Sequence, residues 1–319
     1  MDAAVLHTLG KPPRFEQFTE PTAGEGEVLL EVLAAALNPS TKAVAGGGHF
    51  ASSDNLPAVV GLDGVGRLED GSRVFFGGPR KPYGSLAQRT VARAPFAWPV
   101  PDGVDDLTAA ALPNPSLSSW IPLEHSARLQ PGETVLVLGA TGAAGKLAIQ
   151  IAKHLGAGRV VAAGRNQKIL DTLDQYGADA TVSLNGTQDE VAAAFAAAAG
   201  DSGYDVILDY VWGKPAEALL TAMTRKDFHM NASGPRLVQI GESAGATIEL
   251  SAGTVRSAGL TIVGGGFPPP QAFLDMFNRL MAAAASGEIR IDTQAVPLAE
   301  IEDAWQREDT QGKRLVVVP

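Results

Sequence analysis

The sequence predicts an α/β protein, a doubly wound parallel sheet joined to a second, β-rich unit. Three observations lead there. Strand-length apolar runs alternate with helical patterns from about residue 132 to residue 266. Short β-like runs broken by Gly/Pro clusters fill the first hundred-odd residues. Three glycines, Gly139, Gly142 and Gly145, fall where the first buried strand becomes a helix.

With 319 residues the chain is long enough for two domains, and its 45% hydrophobic and 19% charged content is that of a soluble protein with an ample core. The net charge of −10 argues against a nucleic-acid or anionic-membrane partner. No apolar run reaches the roughly 18 residues of a membrane span, and MDAAVLHTLGK lacks a basic stretch followed by an apolar core, so a cytoplasmic location is expected. The absence of cysteine removes disulfides, thiolate nucleophiles and thiolate-containing zinc sites. The five histidines show no i, i+4 pair, and no metal site is expected.

In the N-terminal part, EVLLEVLAAAL (27–37), GSRVFF (71–76) and SLAQRTVA (85–92) read as strands, and no helix is expected before about residue 105. From 133 the order is strand 133–139, helix 144–155, strand 159–164, helix 167–176, strand 180–184, helix 188–199, strand 204–211, helix 215–223, then strands 235–241 and 260–266. A helix near 271–286 and the closing strand RLVVV follow, and this tail is expected to return to the N-terminal unit. The expected division is 1–112 with 268–319 for the β-rich substrate domain and 113–267 for the nucleotide-binding domain, with the active cleft between them.

Glycines at such a junction serve a dinucleotide in three ways. They permit a tight turn, they let backbone N–H groups approach a pyrophosphate, and they allow the helix to pack closely on the strand. The second strand ends Ala163-Gly164-Arg165-Asn166, with no carboxylate until Asp171. NAD sites place an acidic residue there, whereas an arginine fork suits a 2′-phosphate. Arg165, with Lys168 one helical turn on, favours NADPH.

With these segments in view, the whole chain resembles the medium-chain dehydrogenase/reductase superfamily, and most closely its zinc-free quinone oxidoreductase branch, to which zeta-crystallin belongs. The resemblance rests on LNPSTK (37–42), LPAVVGLDGVGRL (56–68), PDGVDDLTAAALPNPSLSSW (101–120), LQPGETVLVLGATGAAG (129–145) and IEDAWQREDTQGKRLVVVP (301–319). It implies a Rossmann domain beside a GroES-like substrate domain, and a homodimer joined through the edge around 255–265. Zinc-dependent members carry Gly-His-Glu where this chain has Gly61-Leu62-Asp63. The resemblance thus implies metal-free hydride transfer to a quinone or an α,β-unsaturated carbonyl, the two substrates remaining undivided. The alternatives are a zinc-type alcohol dehydrogenase relative and a non-enzymatic NADPH-binding sensor or structural protein.

Position by position, the resemblance places Asn38 near the nicotinamide, donating a hydrogen bond to substrate or cofactor, and Ser118 beside the ring. Thr141, Gly142, Ala143 and Ala144 would line the pyrophosphate, and Gly164, Arg165 and Lys168 the 2′-phosphate. Val211, Gly241, Glu242 and Phe267 follow strands four to six, where open parallel sheets bind ligands. His49, eleven residues after Asn38, is open to two readings, a proton donor or an exposed loop histidine. Lys313 is either a basic contact or a surface lysine. Thr41 and Leu184 depart from the family pattern, which usually has aspartate and tyrosine there.

Tyr210-Val-Trp-Gly-Lys214 has the Tyr-x-x-x-Lys spacing of short-chain dehydrogenases. That pair needs one helix face, however, and here the tyrosine ends a strand. Trp212 reads as a nicotinamide wall or an interface aromatic, and Asp209 as structural.

Overall fold

The computed structural model describes residues 1–49, 51–224, 234–266, 270–307 and 312–319. The chain divides into two compact units, Met1–Asn114 with Phe277–Pro319, and Pro115–Met276.

The Pro115–Met276 unit holds six strands: Thr134–Leu138, Arg159–Gly164, Ala180–Ser183, Val206–Asp209, Arg236–Gln239 and Thr261–Gly264. All neighbours pair in parallel. Numbered along the chain, their spatial order is third, second, first, fourth, fifth, sixth, so the order reverses between the first and fourth strands. A doubly wound sheet opens its ligand crevice at that switch point. Every residue of Thr134–Leu138 is buried, as its unbroken apolar run requires of a strand covered on both faces.

The helix Ala143–His154 turns Leu147, Ala148, Ile151 and Ala152 inward and ends on Lys153 and His154, whose position suits the negative end of the helix dipole. Gln188–Ala199 starts on a capping box between Thr187 and Glu190. The pattern at 167–176 does not form one helix. It splits into the helix Gln167–Leu170 and a 3-10 turn Leu173–Tyr176, with Thr172 between them at φ −116°, ψ 1° and its hydroxyl bonded to the Ile169 carbonyl at 2.8 Å.

The other unit is built from two antiparallel-rich sheets. Arg14–Gln17, Asp2–Leu6 and Ala58–Val59 form the smaller one. In the larger, Glu27–Ala36 is central and pairs with Asp63–Arg67, Arg89–Arg93 and Arg314–Val318. The tail strand Arg314–Val318 thus completes a sheet begun by the N-terminal segment. Leu30, Val32, Phe76, Leu86 and Val317 lie in its core. Of the run 85–92, only its end lies in the strand Arg89–Arg93, while Ala87 makes a single bridge to Ala3.

Short helices of this unit were not expected from the sequence, Ile301–Gln306 and Pro39–Gly46 among them. Pro39–Gly46 spans 8 residues, too short for a periodic apolar stripe, yet it carries Pro at its start and ends at Gly47 with φ 87°. Among the described residues no helix is long and apolar enough to cross a membrane.

Candidate active site

The glycine turn assigns each glycine a different task. Gly139 has φ 104°, a left-handed conformation, and a Cβ there would lie 2.9 Å from Val211 Cγ1. A Cβ on Gly145 would run into the Gly139 carbonyl and lie 2.5 Å from Ala140 Cα, so the helix Ala143–His154 packs this closely only over glycine. Gly142 caps that helix without a side-chain bond, and nothing stands within 4 Å of the place its Cβ would occupy. The bare backbone at Gly142, Ala143 and Ala144 is therefore open to an anion at a helix N-terminus.

The second strand is stitched to this turn. The N–H groups of Gly139 and Ala140 both donate to the Ala163 carbonyl, at 2.9 and 2.8 Å, and a Cβ on Gly164 would collide with Thr141 Cγ2. Thr141 and Gly164 thus share one corner. Just beyond, Arg165 and Lys168 are exposed. Asn185 Nδ2 donates to the Arg165 carbonyl at 2.7 Å, fixing the backbone there. The Asp171 carboxylate accepts from Gln167 Nε2 at 2.7 Å, on the following helix.

At the end of the fourth strand, Asp209 is fully buried and its Oδ1 accepts from the N–H groups of Val211 (2.9 Å) and Trp212 (2.8 Å). Burial raises its pKa, opposed by those two bonds. This brace holds Trp212 at φ 54°, ψ −158°, a conformation otherwise left to glycine. Gly241 closes the same corner, since a Cβ there would lie 2.6 Å from the Tyr210 carbonyl oxygen. The structure therefore brings Thr141, Gly142, Gly164, Val211 and Gly241 to the carboxyl ends of the strands, while Glu242 is exposed on the next turn. Phe267 lies outside the described residues.

Ser118 is half-buried on the helix Pro113–Ile121. Its hydroxyl donates to the Pro115 carbonyl at 2.7 Å, and the Tyr210 hydroxyl donates to the Ser118 carbonyl at 3.2 Å. Lys214 is exposed and pairs with Glu217 at 2.6 Å, so Tyr210 and Lys214 do not act as a Tyr-x-x-x-Lys pair.

Asn38, His49 and Lys313 belong to the other unit. Asn38 is fully buried and its Nδ2 donates to Asp63 Oδ1 at 3.1 Å. Asn114 donates to Asp63 Oδ2 at 3.0 Å. Burial pushes the Asp63 carboxyl up to about 6, against the pull of Asn114, the Arg314 charge and Asn38. Burial in turn lowers Arg314 to about 10, with the Asp63 charge opposing. His49 is half-buried, with Nδ1 accepting from the Ala51 N–H at 3.1 Å. Lys313 is exposed. The sequence reading missed Asn114 and Arg314, and noticed Tyr210 only for its spacing to Lys214. For Asn114 the one local signal was its place between two prolines.

A profile of the family described as "Zinc-binding dehydrogenase" matches residues 143–280. A probable NADPH-dependent quinone reductase of Emericella nidulans is 26% identical, with both chains covered in full. A 2-methylene-furan-3-one reductase of Solanum lycopersicum is 34% identical over 51% of this chain and 46% of its own. The quinone oxidoreductase of Thermus thermophilus, solved also in complex with NADPH, superposes with a TM-score of 0.80 at 29% identity over the whole of both chains. The chain belongs to the medium-chain dehydrogenase/reductase superfamily. Within that superfamily it groups with the quinone oxidoreductase-like oxidoreductases, and the family profile starts at residue 143, inside the Gly139–Gly145 turn.

Proposed function

We propose that this medium-chain reductase binds NADPH at the Gly139–Gly145 turn and reduces a quinone or an α,β-unsaturated carbonyl without a metal. The observation that carries the reading is Gly142. Its backbone lies open at a helix N-terminus, next to a second-strand end that offers Arg165 and Lys168 and no carboxylate. The NADPH named for the Thermus and Emericella relatives supports the same assignment.

These residues fit the coenzyme. Gly142, Ala143 and Ala144 would hold the pyrophosphate through backbone N–H groups, with Thr141 and Gly164 forming the adjoining corner. Arg165 and Lys168 would hold the 2′-phosphate, Arg165 through a planar fork of donors. Val211, Gly241, Glu242 and Phe267 would border the crevice, Asn38 and Ser118 would orient the nicotinamide end, and Lys313 would add a basic contact. The nicotinamide, when bound, supplies hydride; the chain's own residues bind, orient and exclude water. His49, with Nδ1 accepting from Ala51, presents its Nε2–H as a hydrogen-bond donor.

Zinc does not fit. The sequence has no cysteine, Leu62 stands where zinc-dependent relatives have histidine, and among the described residues no three histidine or acidic side chains converge. The matched "Zinc-binding dehydrogenase" stretch, 143–280, lies beyond Leu62 and Asp63. The homodimer expected through 255–265 is part of the same proposal: Thr261–Gly264 is an edge strand, and Val255 and Ile262 near it are 37% and 38% exposed.

A turnover panel of 1,4-quinones and short enones, with NADPH consumption followed by absorbance, tests the reaction. Turnover of one class after treatment with a metal chelator supports the proposal. NADPH binding without turnover of any member would point instead to a non-enzymatic sensor.

A further inference from the structure

Pro122 lies four residues after Ser118. A helical carbonyl accepts from the N–H four residues on, and proline has none. The helix Pro113–Ile121 ends there and gives way to the wide turn Pro122–Ser126, so the Ser118 carbonyl lacks the N–H donor four residues on. The Tyr210 hydroxyl takes that place at 3.2 Å. Tyr210 follows the fourth strand directly and borders the glycine turn, where a Cβ on Gly139 would lie 3.1 Å from Tyr210 Cβ. Tyr210 is half-buried, and its phenol is held up to about 12, first by desolvation, against the neighbouring hydroxyls of Ser118 and Ser119, so it stays a donor.

The Ser118 side chain has one proton to give, and it gives it to the Pro115 carbonyl at 2.7 Å. Its approach to the Tyr210 oxygen is longer, 3.4 Å. The half-buried Ser118 oxygen is left with lone pairs and no donor to offer. A ligand group that brings its own N–H or O–H can bond to it while the serine proton stays on the Pro115 carbonyl.

We propose that Tyr210 is a positioning residue. With Pro122 it fixes the helical turn that carries Ser118, and it leaves the Ser118 oxygen as an acceptor for the carboxamide N–H2 of a bound nicotinamide. The inference rests on the coenzyme reading above and adds the polarity of one contact and the residue that sets it.

The test measures dissociation constants, on the 319-residue chain, for oxidised NADP and for its 3-acetylpyridine analogue, which keeps the carbonyl and lacks the N–H2 group. The proteins are wild type, Ser118→Ala, Ser118→Thr and Tyr210→Phe. Wild type is expected to favour the carboxamide about tenfold, one hydrogen bond's worth. Ser118→Thr should keep that preference, Ser118→Ala should lose it, and Tyr210→Phe should reduce it to threefold or less. Should Tyr210→Phe fail to fold, the serine pair still decides the polarity of Ser118, and Tyr210→Trp or Tyr210→His, bulky and bearing an N–H, replaces it for the positioning role. One ratio common to wild type, Ser118→Ala and Ser118→Thr overturns the proposal while the coenzyme reading stands. If wild type binds neither compound, both fall.

Discussion

Asn38 donates through Nδ2 to the buried carboxylate of Asp63 at 3.1 Å, and Asn114 completes the pair on the other oxygen at 3.0 Å. Two amide donors and the nearby Arg314 charge do not outweigh burial, so the Asp63 carboxyl stays at about 6 instead of 3.8.

That shift has a sign. The native chain holds the Asp63 proton more tightly than the unfolded chain does. The contribution is therefore fully present below about 4 and is lost as pH rises through about 6. Two units correspond to roughly 3 kcal/mol. Urea unfolding at pH 4 and pH 7.5 should show wild type losing about that much relative to Asp63→Asn, which has no proton to release. Parallel pH profiles for the two proteins would contradict it.

Gly142 and Gly145 should respond oppositely to the same substitution. Gly145→Ala pushes a methyl into the Gly139 carbonyl and Ala140, an overpacking that costs about 1–3 kcal/mol or more. Gly142→Ala meets nothing and has an ordinary φ of −86°, so the fold should lose no more than about 1 kcal/mol, the cost of a poorer N-cap. NADPH affinity should nevertheless fall about tenfold or more in Gly142→Ala, because the methyl stands where the phosphate approaches. Chemical denaturation and coenzyme titration on both variants separate the two effects.

Asp209 and Lys214 give a third contrast. Removing the Asp209 side chain frees two buried-turn N–H groups and releases the strained Trp212, so Asp209→Ala should destabilise by about 2–3 kcal/mol. Lys214→Ala removes an exposed pair to Glu217 and should change stability by less than about 0.5 kcal/mol. Equal losses would show that the brace at Asp209 is not what holds the turn.

The parallel sheet was legible in the sequence because buried strands read as continuous apolar runs, and ETVLVLG and RVVAAG have no competing period. Helix 188–199 was legible from its Ala-rich run, which forms the helix Gln188–Ala199. Departures from periodicity were harder to see. The helix after the second strand breaks at Thr172 although its apolar pattern continues, and Pro39–Gly46 is too short to show a period at all. The glycine turn was legible because each glycine answers a local steric demand. The Asp63 cluster was not, since Asn38, Asp63, Asn114 and Arg314 come from four distant segments and nothing in their spacing announces the meeting. Tyr210 was misleading for the opposite reason: its spacing to Lys214 imitated a helix motif, while its real partner, Ser118, lies 92 residues away.

On the proposed reading, a 2′-phosphorylated nicotinamide coenzyme sits on the Gly139–Gly145 turn with its phosphate held by Arg165. Calorimetric titration of wild type and Arg165→Ala with NADPH and NADH tests it most directly. Wild type should bind NADPH more tightly than NADH, and Arg165→Ala should weaken NADPH by about 10- to 100-fold while leaving NADH unchanged. Equal losses for both coenzymes, or no heat from either with wild type, would contradict it.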